Sequence, residues 1–215
     1  QNAAQDAKLV EALQTQNNIQ SNKAPTVISQ LFALSPEAQV KSGQLAGAME
    51  AGAASTATAA NTACPTASTQ AFGYMAAAPA FAQSSQAVGH ITPVVDPDGN
   101  IRRVPALVCY EGKAYPALAV AGMAAATGAQ PVIKVAPGLM QSGQVLDVGG
   151  LQIPVNAKGQ LRVSYQMPRA GFVSVSAVDV IQGKVPAQML KGAWALVGST
   201  AFGGGEIGRA SCRER

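Results

Sequence analysis

The tetrapeptide Asp96-Pro97-Asp98-Gly99 constrains this chain more than any other stretch, because its chemistry is that of a tight turn. Pro97 presets φ, Asp96 can accept a hydrogen bond from the backbone just ahead of it, and Gly99 takes a conformation that other residues resist. On either side lie β-rich runs, Ile91 to Val95 and Asn100 to Tyr110, so the three pieces predict a β-hairpin. The device recurs. Val155-Asn156-Ala157-Lys158-Gly159-Gln160-Leu161-Arg162 matches Val95-Asp96-Pro97-Asp98-Gly99-Asn100-Ile101-Arg102 in kind at nearly every step. Two copies are too few for a repeat architecture, so the match reads as reused turn chemistry.

Around the hairpins the pattern alternates between helix and strand. Leu9 and Leu13 put an apolar face on a helix over Asp6 to Leu13. Val27 to Leu34 is an apolar run that fits a strand or a helix, and Pro36 stands where a helix from Glu37 to Glu50 would begin. Pro116 to Thr127 predicts a small-residue helix ended by Gly128, followed by a strand near Val132 to Val135. Ser176 with Asp179 three residues on reads as a capped helix start, and Ala193 to Gly198 as a buried strand. Ala51 to Ala71 is Ala/Ser/Thr/Asn-rich with few large side chains, and predicts a surface insertion or loop, since it has little apolar area to offset its backbone entropy. The expected fold class is therefore α/β: a layered fold with a mixed, mainly parallel sheet plus β-hairpins.

Composition removes several function classes. With 48% hydrophobic, 12% charged and 5% aromatic residues, and no run of some 20 strongly apolar residues, the chain is neither membrane-embedded nor a charged disordered tail. Its Lys and Arg are dispersed, which argues against nucleic acid as a partner. The last ten residues, Glu206 to Arg215, break abruptly from the preceding Ala/Gly/Val texture, and their codons resemble translated sequencing adapter. They are treated as a non-native tail, and without its three Arg and two Glu the net charge of +4 becomes +3. The expected organisation is one domain over residues 1–205, cut at both ends from a longer protein.

The ordered strings Val88-Gly89-His90-Ile91, Asp96 to Pro105 and Tyr115-Pro116-Ala117-Leu118-Ala119 resemble the central signature of the second type of CHASE domain. The name stands for cyclase- and histidine-kinase-associated sensory extracellular domain. Val163-Ser164-Tyr165, Ser176 to Gly183 and Leu190 to Ala201 follow that family's order and spacing as well. The early strands and the closing Asp-containing segment of the family are missing here, and Ala51 to Ala71 resembles nothing in it. The resemblance implies a non-catalytic, extracytoplasmic input domain of a bacterial receptor. Such a domain is tethered by transmembrane helices outside this chain and feeds an adenylate or guanylate cyclase, a histidine kinase or a similar output. It implies no cofactor. Its partners would be an unidentified small-molecule or anionic signal, the membrane through the flanking helices, and a second copy in the parent receptor. The alternatives are an unrelated, non-catalytic periplasmic ligand-binding or scaffold domain and, behind it, a small serine hydrolase.

Candidate site residues follow from charge and pattern. Alternation along the second strand puts Arg102, Val104, Ala106 and Val108 on one face and Ile101, Arg103, Leu107 and Cys109 on the other. Two guanidinium groups on a strand apolar on both faces need partners, either Asp96 and Asp98 or an anionic ligand. The ligand-binding candidates are Arg102, Arg103, His90, Asp96, Asp98 and Tyr115. Catalytic and metal sites are not expected. A Ser/His/Asp triad would need His90, the one histidine, with Ser199 or Ser164 and Asp179, but Gly198-Ser199-Thr200-Ala201 lacks the second glycine of a nucleophile elbow. Trp194 reads as core or membrane-proximal packing. Cys64 and Cys109 could pair in an oxidising compartment, although one lies in the loop-like stretch and the other in an apolar layer, which weighs against a bridge.

Overall fold

A computed structural model describes residues 26–49, 64, 67–135, 143–166, 168 and 171–198. They form two compact units that divide between Val163 and Ser164. The expected helix over Asp6 to Leu13 and the tail lie outside the described residues.

The first unit opens with β1 (Val27–Ala33), β2 (Lys41–Ser42), β3 (Thr69–Gln70) and β4 (Gly73–Met75). Helix α1 (Pro79–Ser84) leads to β5 (Ala87–His90), β6 (Val94–Val95), β7 (Ile101–Pro105), β8 (Leu107–Tyr110) and β9 (Lys113–Pro116). Helix α2 (Leu118–Thr127) then precedes β10 (Val132–Val135), β11 (Gln144–Val148), β12 (Leu151–Val155) and β13 (Gln160–Arg162). The strands make three sheets, ordered β2-β4-β1-β5, β10-β11-β12-β13-β7-β6 and β3-β8-β9, with α2 packed on β5, β1 and β11. This is the mixed α/β layered architecture expected. Within it β1–β5, β2–β4 and β3–β8 are parallel, while the six-stranded sheet is antiparallel throughout, so the sheets are mixed without being mainly parallel.

Both turn copies form, with the same hydrogen bonds. Gly99 N–H donates to Asp96 O and Gly159 N–H to Asn156 O, each at 2.8 Å, and the loop closes from Asp96 to Asn100 and from Asn156 to Gln160. The hairpins they create are joined, because β13 pairs with β7. The run Asn100 to Tyr110 is two strands. Pro105 has no N–H for the ladder, and the next residue turns away: Ala106 N–H donates to Gly159 O (2.8 Å) while its carbonyl accepts from Ala117 N–H (2.9 Å). The chain crosses there from the six-stranded to the three-stranded sheet. Of the expected strand Ile91 to Val95 only Val94 and Val95 form one: Pro93 brings no N–H to a ladder, and Thr92 turns its Oγ1 to accept from Phe32 N–H at 2.8 Å.

Four further expectations are corrected. Glu37 to Glu50 forms no helix among its described residues. Gly43 and Gly47 hold φ of 78° and 75°, and a Cβ on either would collide with the carbonyl oxygens of Ala76 or Val88, so the segment runs extended against its neighbours. Ala67 to Ala71, expected to be loop, supplies two buried alanines and β3. Cys64 and Cys109 form a disulfide with Cα atoms 5.6 Å apart, because β3 runs alongside β8 and carries the loop end across it. Arg102 and Arg103 are half-exposed, since β7 has only the two-residue β6 beyond it at the sheet edge.

The second unit holds the short helices α3 (Ala177–Ile181) and α4 (Ala187–Leu190). Ser176 occupies the cap position of α3, but its side chain makes no capping bond. Ala193 to Gly198 is not a buried strand: Ala193 N–H bonds back to Leu190 O, nothing among the described residues of this unit forms a ladder with it, and Trp194 is 73% exposed.

Gly99 and Gly159 share a left-handed φ, but only Gly159 is crowded, with Ala67 O where a Cβ would stand. Gly159→Ala is therefore expected to cost about 2 kcal/mol more than Gly99→Ala in urea unfolding. Equal costs would show that Ala67 yields freely.

Candidate functional site: the arginine edge

The first hairpin turn gathers four of the six candidate residues. Asp96, whose side chain is 13% exposed, accepts from Arg102 Nη1 at 3.0 Å and from Arg103 Nη1 at 2.8 Å. Arg102 also grips Asp98 with both terminal nitrogens, at 2.9 and 2.7 Å. Neighbours on a strand point to opposite faces, yet both arginines reach Asp96 because it lies in the turn past the register shift at Val94/Val95. The Arg102 fork, helped by Asn100, holds the Asp98 carboxyl well below its usual range, and the Asp98 carboxylate in turn raises Arg102.

One residue of this edge escaped sequence reasoning. Arg162 on β13 is the register partner of Arg103 on β7, and directly opposed residues project to the same face. Arg162 is exposed and has no ion pair among the described residues. Three arginines thus stand on this edge, of which two hold the two carboxylates. The signal was available: in the matched octapeptides Arg162 stands where Arg102 stands.

His90 and Tyr115 are not brought to this edge. Both lie in an aromatic core around Phe32, whose ring centroid is 6.0 Å from that of His90 and 5.0 Å from that of Tyr115. Thr92 N–H donates to His90 Nδ1 at 3.3 Å, so Nε2 carries the proton and finds no acceptor among the described residues. Burial lowers the His90 pKa to about 3 and, with the Glu111 charge as a smaller cause, raises that of the Tyr115 phenol. At the rim of this core Lys41 pairs with Glu111 at 2.9 Å and lies 5.6 Å from the centre of the Tyr110 ring.

Of the triad considered from sequence, Ser199 lies outside the described residues, and His90 has no hydroxyl or carboxylate partner among those described. No three His, Cys, Asp or Glu side chains among the described residues come together as a metal-holding group. The second unit has an open cleft of about 370 Å³ lined by Ser176, Asp179, Lys184 and Met189, with Asp179 and Lys184 3.6 Å apart.

The model of the CHASE2 domain matches residues 1–210. The chain belongs to the CHASE2 domain family. CHASE2 domains are extracellular sensory domains of signalling receptors and are not catalytic. No curated protein and no solved structure matches the chain. No described helix is long and apolar enough to cross a membrane.

The buried histidine makes this CHASE2 domain acid-sensitive. Below pH 6.5 the unfolded chain protonates His90 while the folded chain, with its pKa near 3, does not. Stability is therefore present above pH 6.5 and lost as pH falls toward 3, at about 1.4 kcal/mol per pH unit. Urea unfolding of the native chain and of His90→Gln between about pH 6.5 and 4.5 tests this, since the variant is expected to lose that slope. An unchanged slope would assign the acid sensitivity to other groups.

Proposed function

We propose that this CHASE2 domain is the extracytoplasmic input module of a bacterial transmembrane receptor, and that it reads a small anion at the Arg103–Arg162 edge. The observation that carries the ligand class is the juxtaposition of those two arginines. Like charges directly opposed across a ladder are unfavourable, and Asp96 is already shared between Arg102 and Arg103, so one positive charge remains for an external anion to neutralise. The Cys64–Cys109 disulfide supports an oxidising, extracytoplasmic location. A bound anion would tighten the β7–β13 pair and so bias the transmembrane helices of the parent, which drive a cyclase or kinase. The receptor itself would be a dimer.

Thermal unfolding in rising inorganic phosphate or succinate tests the ligand class. A ligand at about 100 times its Kd adds about 2.7 kcal/mol of stability. A saturable rise in Tm is expected in the native chain and is expected to vanish in Arg162→Gln, whose Tm without ligand should rise slightly because the opposed like charge is gone. No saturable rise with either anion, or the same rise in the variant, would reject the site. The flanking gene tests the receptor context: transmembrane helices and a cyclase or kinase are expected, and a reading frame lacking them would favour a stand-alone ligand-binding or scaffold domain.

A further inference from the structure

Ala67 to Ala71 touches three parts of the first unit: the second hairpin turn, β8 and β1. The carbonyl of Ala67 sits over Gly159 in the second hairpin turn. Thr69 and Gln70 pair with Val108 and Cys109, and Ala71 N–H donates to Cys109 O at 2.8 Å. Ala71 itself is a buried member of the cluster formed by Phe32, Val108, Tyr110 and Tyr115. Then Phe72 N–H bonds to Ala33 O and the chain enters β4. A two-residue parallel strand whose only buried neighbours in the segment are the small Ala67 and Ala71 has little of its own to hold it in place. The covalent bond from Cys64 to Cys109 is the strongest restraint on this segment.

We propose that Cys64–Cys109 is a redox-operated clasp, responsive to dithiol reductants, that keeps Ala67–Ala71 over the aromatic core. Cys64 is partly exposed and Cys109 is buried, so an incoming thiolate attacks the Cys64 sulfur. That step forms a mixed disulfide and expels the Cys109 thiolate, which takes up a proton. The second thiol of the reductant then displaces Cys64 as a thiol and leaves as a cyclic disulfide. Two electrons pass from the dithiol to the protein. Once the bond is broken, β3 lifts from β8 and uncovers Ala71, Tyr110 and their neighbours, while the β8–β9 hairpin and the six-stranded sheet keep their own ladders. The proposal does not depend on the anion site.

The test uses the full chain, oxidised or treated with dithiothreitol. Of its three cysteines the oxidised chain is expected to take up one equivalent of iodoacetamide and the reduced chain three. Hydrogen exchange at Thr69–Ala71 is expected to rise at least about tenfold on reduction and to recover on reoxidation, while Gln144–Val155 changes less than about twofold. Cys64→Ser should show the fast exchange without reductant and not respond to it. Three results would each overturn the clasp: uptake of three equivalents by the oxidised chain, no change at Thr69–Ala71 on reduction, or a uniform rise through Gln144–Val155. A uniform rise, whether from reduction or from the variant, would make the bond a staple for the whole fold.

Discussion

The burial of β8 on both faces is the constraint on which the first unit is built. Leu107 faces a core with Val120, Leu146 and Val155, whereas Val108 and Tyr110 face the one containing Phe32 and Tyr115. A four-residue strand with no exposed residue cannot lie at the surface, so elements must cover it from both sides. The crossing at Ala106 permits this. By diverting one N–H and one carbonyl to Gly159 and Ala117, it lets the chain leave one sheet and enter another without stranding a buried polar group. The disulfide is then anchored on the most protected strand of the unit, which is why its loss is felt in the segment it tethers before it is felt in the ladder.

Electrostatics follow from the same crossing. Once Pro105 ends β7, its arginines stay near the sheet edge, half in solvent, where screening by water leaves ion pairs little to add to stability. Their value lies in geometry: the Arg102 fork on Asp98 sets the turn, and Asp96 orients both guanidinium groups. Arg162 enters this arrangement from another strand and finds the acids already engaged.

Most of what could be read from the sequence rested on local chemistry. Both turns, the α2 helix ending at Gly128 and strand β10 are set by residues within a few positions of each other. The stretch from Glu37 misled because Pro36 imitates a helix start, while the cause of its extended form lies at Ala76 and Val88, far along the chain. Ala193 to Gly198 misled in the opposite sense, since an apolar run has strand character but a strand needs a neighbour to pair with. Of the candidate residues, Asp96, Asp98, Arg102 and Arg103 lie within eight positions and meet as their spacing implied. His90 and Tyr115 belong to a different environment, which alternation along one strand could not reveal.

The sequence by itself determined the turns, the mixed α/β character and the family, because these depend on backbone preferences and on motifs that keep their order along the chain. Tertiary structure alone decided that Cys64 reaches Cys109, that Arg162 opposes Arg103 and that His90 is buried beside Phe32. Each of those depends on the register between distant strands. Register is set by how whole faces fit into a shared core, a property of the assembled sheets that no short stretch of residues carries.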